Sequence, residues 1–99
     1  MKIRFEEEDL KRLYEEPNFR LPRFGDDLVK AFRKKVWLIV AAANENDLRM
    51  LKSLHFEKLI GALEGLHSIR INDQWRLLLR LETKDDERVI VIYKVVDYH

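Results

Sequence analysis

The last three residues of this 99-residue chain are a carboxylate, a phenol and an imidazole, Asp97-Tyr98-His99. Further upstream, Arg70 and Arg76 flank a polar stretch, Asn72-Asp73-Gln74, that interrupts two apolar runs. Together these residue types suit one chemistry, the breaking of an RNA phosphodiester through its own 2′-hydroxyl. A base must take the hydroxyl proton, cations must hold the phosphate as charge builds, and an acid must protonate the leaving 5′-oxygen. Imidazole titrates near neutral pH, guanidinium is always charged and grips phosphate at two points, and tyrosine stacks on a base or passes a proton. No metal or cofactor is expected: His55, His67 and His99 show no metal-ligand spacing. A terminal tripeptide alone carries little weight. Its composition, beside two arginines, is what makes it a candidate site.

Those residues need a frame. From Leu54 onward the apolar period is two, and segments 55–60, 67–72, 74–82 and 88–96 read as strands separated by turn residues. Before that point the period is helical. Residues 2–5 read as a short strand, Glu7 to Glu16 as a helix closed by Pro17, and a longer helix begins near Asp26. Its stripe is Leu28, Val29, Phe32, Val36, Ile39, Val40 and Ala43. Asn46 or Asp47 reads as the N-cap of a short helix through Leu51. The expected fold class is α+β, with N-terminal helices packed on a C-terminal, mostly antiparallel sheet in one domain, residues 1–99.

Side chains choose the hairpin register. A two-residue loop would oppose Arg70 to Trp75 and mix polar with apolar on both faces. A three-residue loop over Asn72 to Gln74 pairs Ile71 with Trp75 and Arg70 with Arg76. Ile69, Ile71, Trp75, Leu77 and Leu79 then share a core face, and Ser68, Arg70, Arg76 and Leu78 share the other. Facing guanidiniums repel, which makes sense where an anion visits that face. The final strand, apolar on both faces, is expected inside the sheet, delivering Asp97-Tyr98-His99 to its edge.

Bulk composition narrows the classes. Apolar residues make up 46% and charged residues 37%, which fits a folded protein. With a net charge of +1, nucleic-acid binding must come from a local patch. The absence of cysteine removes disulfides, Cys-rich zinc sites and a thiolate nucleophile. The N-terminus lacks a secretory apolar region, and the longest apolar run, Val36 to Ala43, is too short to span a bilayer. A cytoplasmic location is expected.

The run Gly61, Leu63, Gly65, then His67-Ser68-Ile69-Arg70-Ile71-Asn72-Asp73-Gln74-Trp75-Arg76, together with the ending Val96-Asp97-Tyr98-His99, resembles the HigB toxins, a branch of the RelE/ParE superfamily of type II toxin–antitoxin systems. The resemblance implies ribosome-dependent, metal-independent cleavage of messenger RNA, and a helix-turn-helix, HigA-like antitoxin. By position it makes Asp97, Tyr98, His99 and Arg76 the catalytic set, with His99 or Asp97 as proton acceptor and Tyr98 stacking or relaying; the hairpin face adds Arg70 as a second phosphate clamp, with Ser68 beside it where the message is expected to lie. The pattern departs at Leu59-Ile60-Gly61, where relatives usually read Leu-Lys-Gly, and at Ala62. Lys58 would partly compensate, at a different strand parity.

Residues 18–37 hold Arg20, Arg23, Lys30, Arg33, Lys34 and Lys35 against Asp26 and Asp27, a solvated helix face or a contact to ribosomal RNA. Trp37 falls beside the main helical stripe and is a candidate antitoxin anchor. Two other readings share the fold: a ParE-like gyrase inhibitor, against which Asp97-Tyr98-His99 argues, and a non-catalytic binding module, which the missing lysine would suit.

Overall fold

The computed structural model describes residues 1–97. Strand β1 (Lys2–Phe5) leads into α1 (Glu8–Glu15), whose Leu10 and Leu13 are fully buried. Pro17 cannot continue that helix. Its last carbonyls are met instead by Arg33 of α2 (Asp26–Ala41), which donates from Nε to Leu13 O at 2.7 Å and from its terminal nitrogen to Glu16 O and Pro17 O at 3.0 and 3.2 Å. One guanidinium thereby satisfies a helix end and ties α2 to α1.

The stripe of α2 holds through Ile39: Leu28, Val29, Phe32, Val36 and Ile39 are buried. It fails beyond that point. Val40 and Ala43 are exposed and Ala42 is buried, because the helix stops at Ala41 and Ala42 turns to an extended conformation. Trp37 is 59% exposed. The short helix α3 (Glu45–Met50) is capped by Asn44, not by Asn46 or Asp47. Asn44 Oδ1 accepts from Asp47 N–H at 3.2 Å, and Asp47 Oδ2 accepts from Ala43 N–H at 2.8 Å. Asp47 holds the N3 position of a capping box, but its carboxylate returns to the residue before the cap, not to the cap itself.

The remaining strands are β2 (Glu57–Lys58), β3 (His67–Arg70), β4 (Trp75–Lys84) and β5 (Glu87–Asp97), in the spatial order β1-β5-β4-β3-β2. β1 lies parallel to β5 at one edge, and the other pairings are antiparallel. The expected strand over 55–60 shrinks to two residues. His55 adopts a left-handed conformation with φ of 48°, and a 3-10 turn at Gly61–Leu63 draws the chain out of the ladder. β5 lies between β1 and β4, the interior position expected of it, although β4 holds the middle of the sheet.

All three helices contribute to one core with Ile69, Ile71, Leu77, Leu79, Ile90 and Ile92. Each of these aliphatic side chains contributes roughly 1.5–3 kcal/mol by leaving water. Trp75 packs at its margin, edge-on to Phe24 at 5.8 Å. Among the described residues no helix packs on the opposite face of the sheet. Among the described residues no helix is long and apolar enough to cross a membrane.

Candidate nucleic-acid interface on the open sheet face

The hairpin between β3 and β4 closes as its side chains demand. Asn72 Oδ1 accepts from the N–H groups of Gln74 and Trp75 at 2.9 and 2.8 Å, and Ile71 N–H donates to Trp75 O at 2.9 Å. The asparagine folds the three-residue loop around its own carbonyl. Arg70 therefore lies opposite Arg76 on the face away from the helices, both half-buried. Arg70 is steadied by Nε donation to Asn72 O at 3.3 Å and by an ion pair with the exposed Asp73. Its charge also reaches α2: burial lowers the Lys35 pKa, and Lys34 and Arg70 lower it further.

β5 brings its end to the same place. Val96 pairs with Arg76, and Asp97 with Trp75. Asp97 Oδ2 accepts from Gln74 Nε2 at 2.9 Å, which binds the strand end to the hairpin loop. The other two members of the terminal trio, Tyr98 and His99, lie outside the described residues.

Two residues expected to contact RNA, Ser68 and Lys58, are not accessible beside the arginines. Ser68 does share the open face but is fully buried, and its hydroxyl has no hydrogen-bond partner among the described residues. It forms floor rather than an accessible phosphate contact. Lys58 pairs with His67, so it takes the helix-side parity, away from Arg70 and Arg76. His67 itself stacks on Phe56 at 5.1 Å, and the Arg49 guanidinium lies over the Phe56 ring at 5.3 Å from its centre. Burial holds its pKa below the ordinary histidine value. It packs; it does not face the arginines. Among the described residues no three His, Asp or Glu side chains gather around one point.

The open face has a second half. Arg4 bonds Glu82 at 2.9 Å, and Arg80 bonds Glu6 at 2.6 Å and Glu82 at 3.4 Å. Between them in register lies buried Val91, pairing with Arg4 on one side and Arg80 on the other. This interlocked network is charge-balanced. The other end of the face sets Arg70 directly opposite Arg76.

A family model described as a RelE-like toxin of the type II toxin–antitoxin system HigB matches residues 3–99. This chain belongs to the HigB-like toxin family. It is 34% identical over 80 residues to Toxin HigB-1 of Vibrio cholerae serotype O1, covering 81% of this chain and 83% of that toxin. The fold agrees with two solved structures at lower identity. One is a YoeB/ParE toxin from Agrobacterium tumefaciens, with a TM-score of 0.58, 13% identity and full coverage of both chains. The other is a YoeB-YefM complex from Staphylococcus aureus, with a TM-score of 0.56 and 22% identity, covering all of this chain and 97% of that one. As a HigB-like toxin the molecule presents helices on one side of its sheet and paired arginines on the other, and the family match runs through both the hairpin and the terminal residues.

Proposed function

We propose that this HigB-like toxin cuts messenger RNA on the ribosome, without a metal, by attack of the RNA 2′-hydroxyl on its adjacent phosphate. Arg76 and Arg70 hold the phosphate, Asp97 or His99 takes the hydroxyl proton, and Tyr98 stacks on the substrate or relays a proton. The 2′-oxygen forms a bond to phosphorus, the bond to the 5′-oxygen breaks, and that oxygen leaves with a proton. The products are a cyclic phosphate and a free 5′-hydroxyl. The observation that carries this reading is the pairing of Arg70 with Arg76 at the end of the open face, one register step from Asp97. Opposed guanidiniums stabilise the protein poorly and a phosphate well.

A cognate antitoxin of the helix-turn-helix, HigA-like kind would silence the toxin. Family membership supports an antitoxin partner, as does the complexed state of the Staphylococcus aureus relative. Action in the cytoplasm follows from a ribosomal target.

In-vitro translation tests the reaction. Messages should be truncated only when ribosomes are present, and the fragments should end in a 2′,3′-cyclic phosphate and a 5′-hydroxyl, the ends that attack by the 2′-hydroxyl leaves. Intact messages with stalled DNA supercoiling would point to gyrase inhibition, and neither effect would point to a binding module.

A further inference from the structure

The antiparallel ladder between β4 and β5 slips by one residue at Leu78/Leu79: Leu78 pairs with Lys94, but Leu79 pairs with Ile92. Tyr93 is the extra residue. In a regular strand Tyr93 and Lys94 would point to opposite faces. At a bulge consecutive side chains can share a side, and here the Lys94 ammonium lies 5.5 Å from the centre of the Tyr93 ring. The Arg80 guanidinium sits 5.1 Å from the same ring, which places the ring on the open face with Arg80, Arg76 and Arg70.

Lys94 differs from its neighbours there. Arg4 and Arg80 are matched by Glu82 and Glu6, and Arg70 by Asp73. Lys94 is exposed, and among the described residues it meets no carboxylate, only the ring. A ring steers an ammonium without neutralising it. Lys94 also stands two residues along β5 from Val96, the partner of Arg76. That is one side-chain step on the same face, about 7 Å, a distance suited to neighbouring phosphates of an extended single strand.

We infer that Lys94, braced by Tyr93, is a second phosphate contact that continues the Arg70–Arg76 clamp across the open face, so that single-stranded RNA runs from the hairpin toward the balanced Arg4–Glu82–Arg80–Glu6 network. The inference deepens the proposed RNA-cutting role, and its test separates binding from cutting.

The probe is a short, fluorescently labelled single-stranded RNA with 2′-O-methyl groups throughout, which cannot be cleaved by internal attack. Its affinity for the full chain is measured over a range of salt. Lys94→Met should bind several-fold more weakly, and its log–log salt dependence should be shallower by about 0.7, the loss of one single-strand phosphate contact. Lys94→Arg should keep the wild-type slope. Tyr93→Leu retains the charge and should weaken binding while keeping the slope. An unchanged slope in Lys94→Met, or no RNA binding by the wild type, would overturn the inference. If binding depends on Lys94 while ribosome-programmed messages stay whole, the contact stands and the cutting reaction falls.

Discussion

At the scale of single residues, Arg76 is where the candidate chemistry is most concentrated. It lies on an interior strand, half-buried, opposite a second guanidinium. Replacing it with alanine should slow ribosome-dependent cleavage about 100- to 1,000-fold, since a donor facing developing phosphate charge contributes roughly 2–4 kcal/mol. Arg76→Lys should recover only part, because an ammonium cannot grip two oxygens. Single-turnover cleavage of a programmed message checks both variants, and wild-type rates in both would assign Arg76 to structure. His67 is the contrasting case. Burial lowers its pKa in the folded chain, so between that value and the ordinary one near 6.5 the unfolded chain binds more protons. Its contribution to stability is therefore complete above about pH 6.5 and declines as pH falls. His67→Phe keeps a ring against Phe56 and should melt with a flatter pH profile between about pH 5 and 7. Equal profiles for the two proteins would show that His67 does not titrate differently on folding.

At the scale of elements, the join between α1 and α2 depends on Arg33. Its three bonds to Leu13, Glu16 and Pro17 carbonyls would be lost in Arg33→Ala, which should lower unfolding free energy by about 1–3 kcal/mol. Urea titration measures this, and a change below about 0.5 kcal/mol, the range of ordinary surface substitutions, would mean water replaces the guanidinium without loss. The same result narrows the basic stretch: Arg20 is likewise spent on Pro17 and Phe19 carbonyls at 2.8 and 3.0 Å, which leaves Arg23, Lys30, Lys34 and Lys35 as the cations that could meet ribosomal RNA. Strand β5 has a simpler role, to carry its end to the hairpin. Its core-packing residues, Ile90, Ile92 and Val95, all precede Asp97. Deleting Tyr98 and His99 should thus leave the melting temperature nearly unchanged while abolishing growth inhibition. A truncated toxin that still arrests growth at equal expression would move the reacting groups away from the chain end.

At the scale of the whole molecule, a chain of net charge +1 separates charge by surface. The open face is charge-balanced around Arg4, Glu82, Arg80 and Glu6 and sets Arg70 opposite Arg76 at the other end, so RNA affinity depends on local placement and not on total charge. Ile60 bears on that placement. It is 86% exposed, and Ile60→Lys should shift stability by no more than about 0.5 kcal/mol. An added cation near the message should raise cleavage, and the gain should fade as salt rises. Melting curves beside cleavage rates decide the matter: a stable Ile60→Lys protein with unaltered activity would show that the message does not pass this position.

Much of the fold was legible in the residues because it rests on local periodicity and turn chemistry. The two-fold alternation around Asn72-Asp73-Gln74 determined the hairpin register, and with it the opposition of Arg70 and Arg76. The apolar run of β5 foretold an interior strand, and Pro17 the end of α1. Other features could not be read from the chain. Lys58 and Ser68 look like site residues in sequence, but the pairing of β2 with β3 turns Lys58 to the helix side and burial closes Ser68 from solvent. The slip that sets Tyr93 beside Lys94 was hidden for a related reason: β5 is apolar on both faces, so its pattern does not register one added residue. Periodicity reports which face a side chain takes within its own element. Which elements meet, and where a ladder slips, is decided only when distant strands pair and pack.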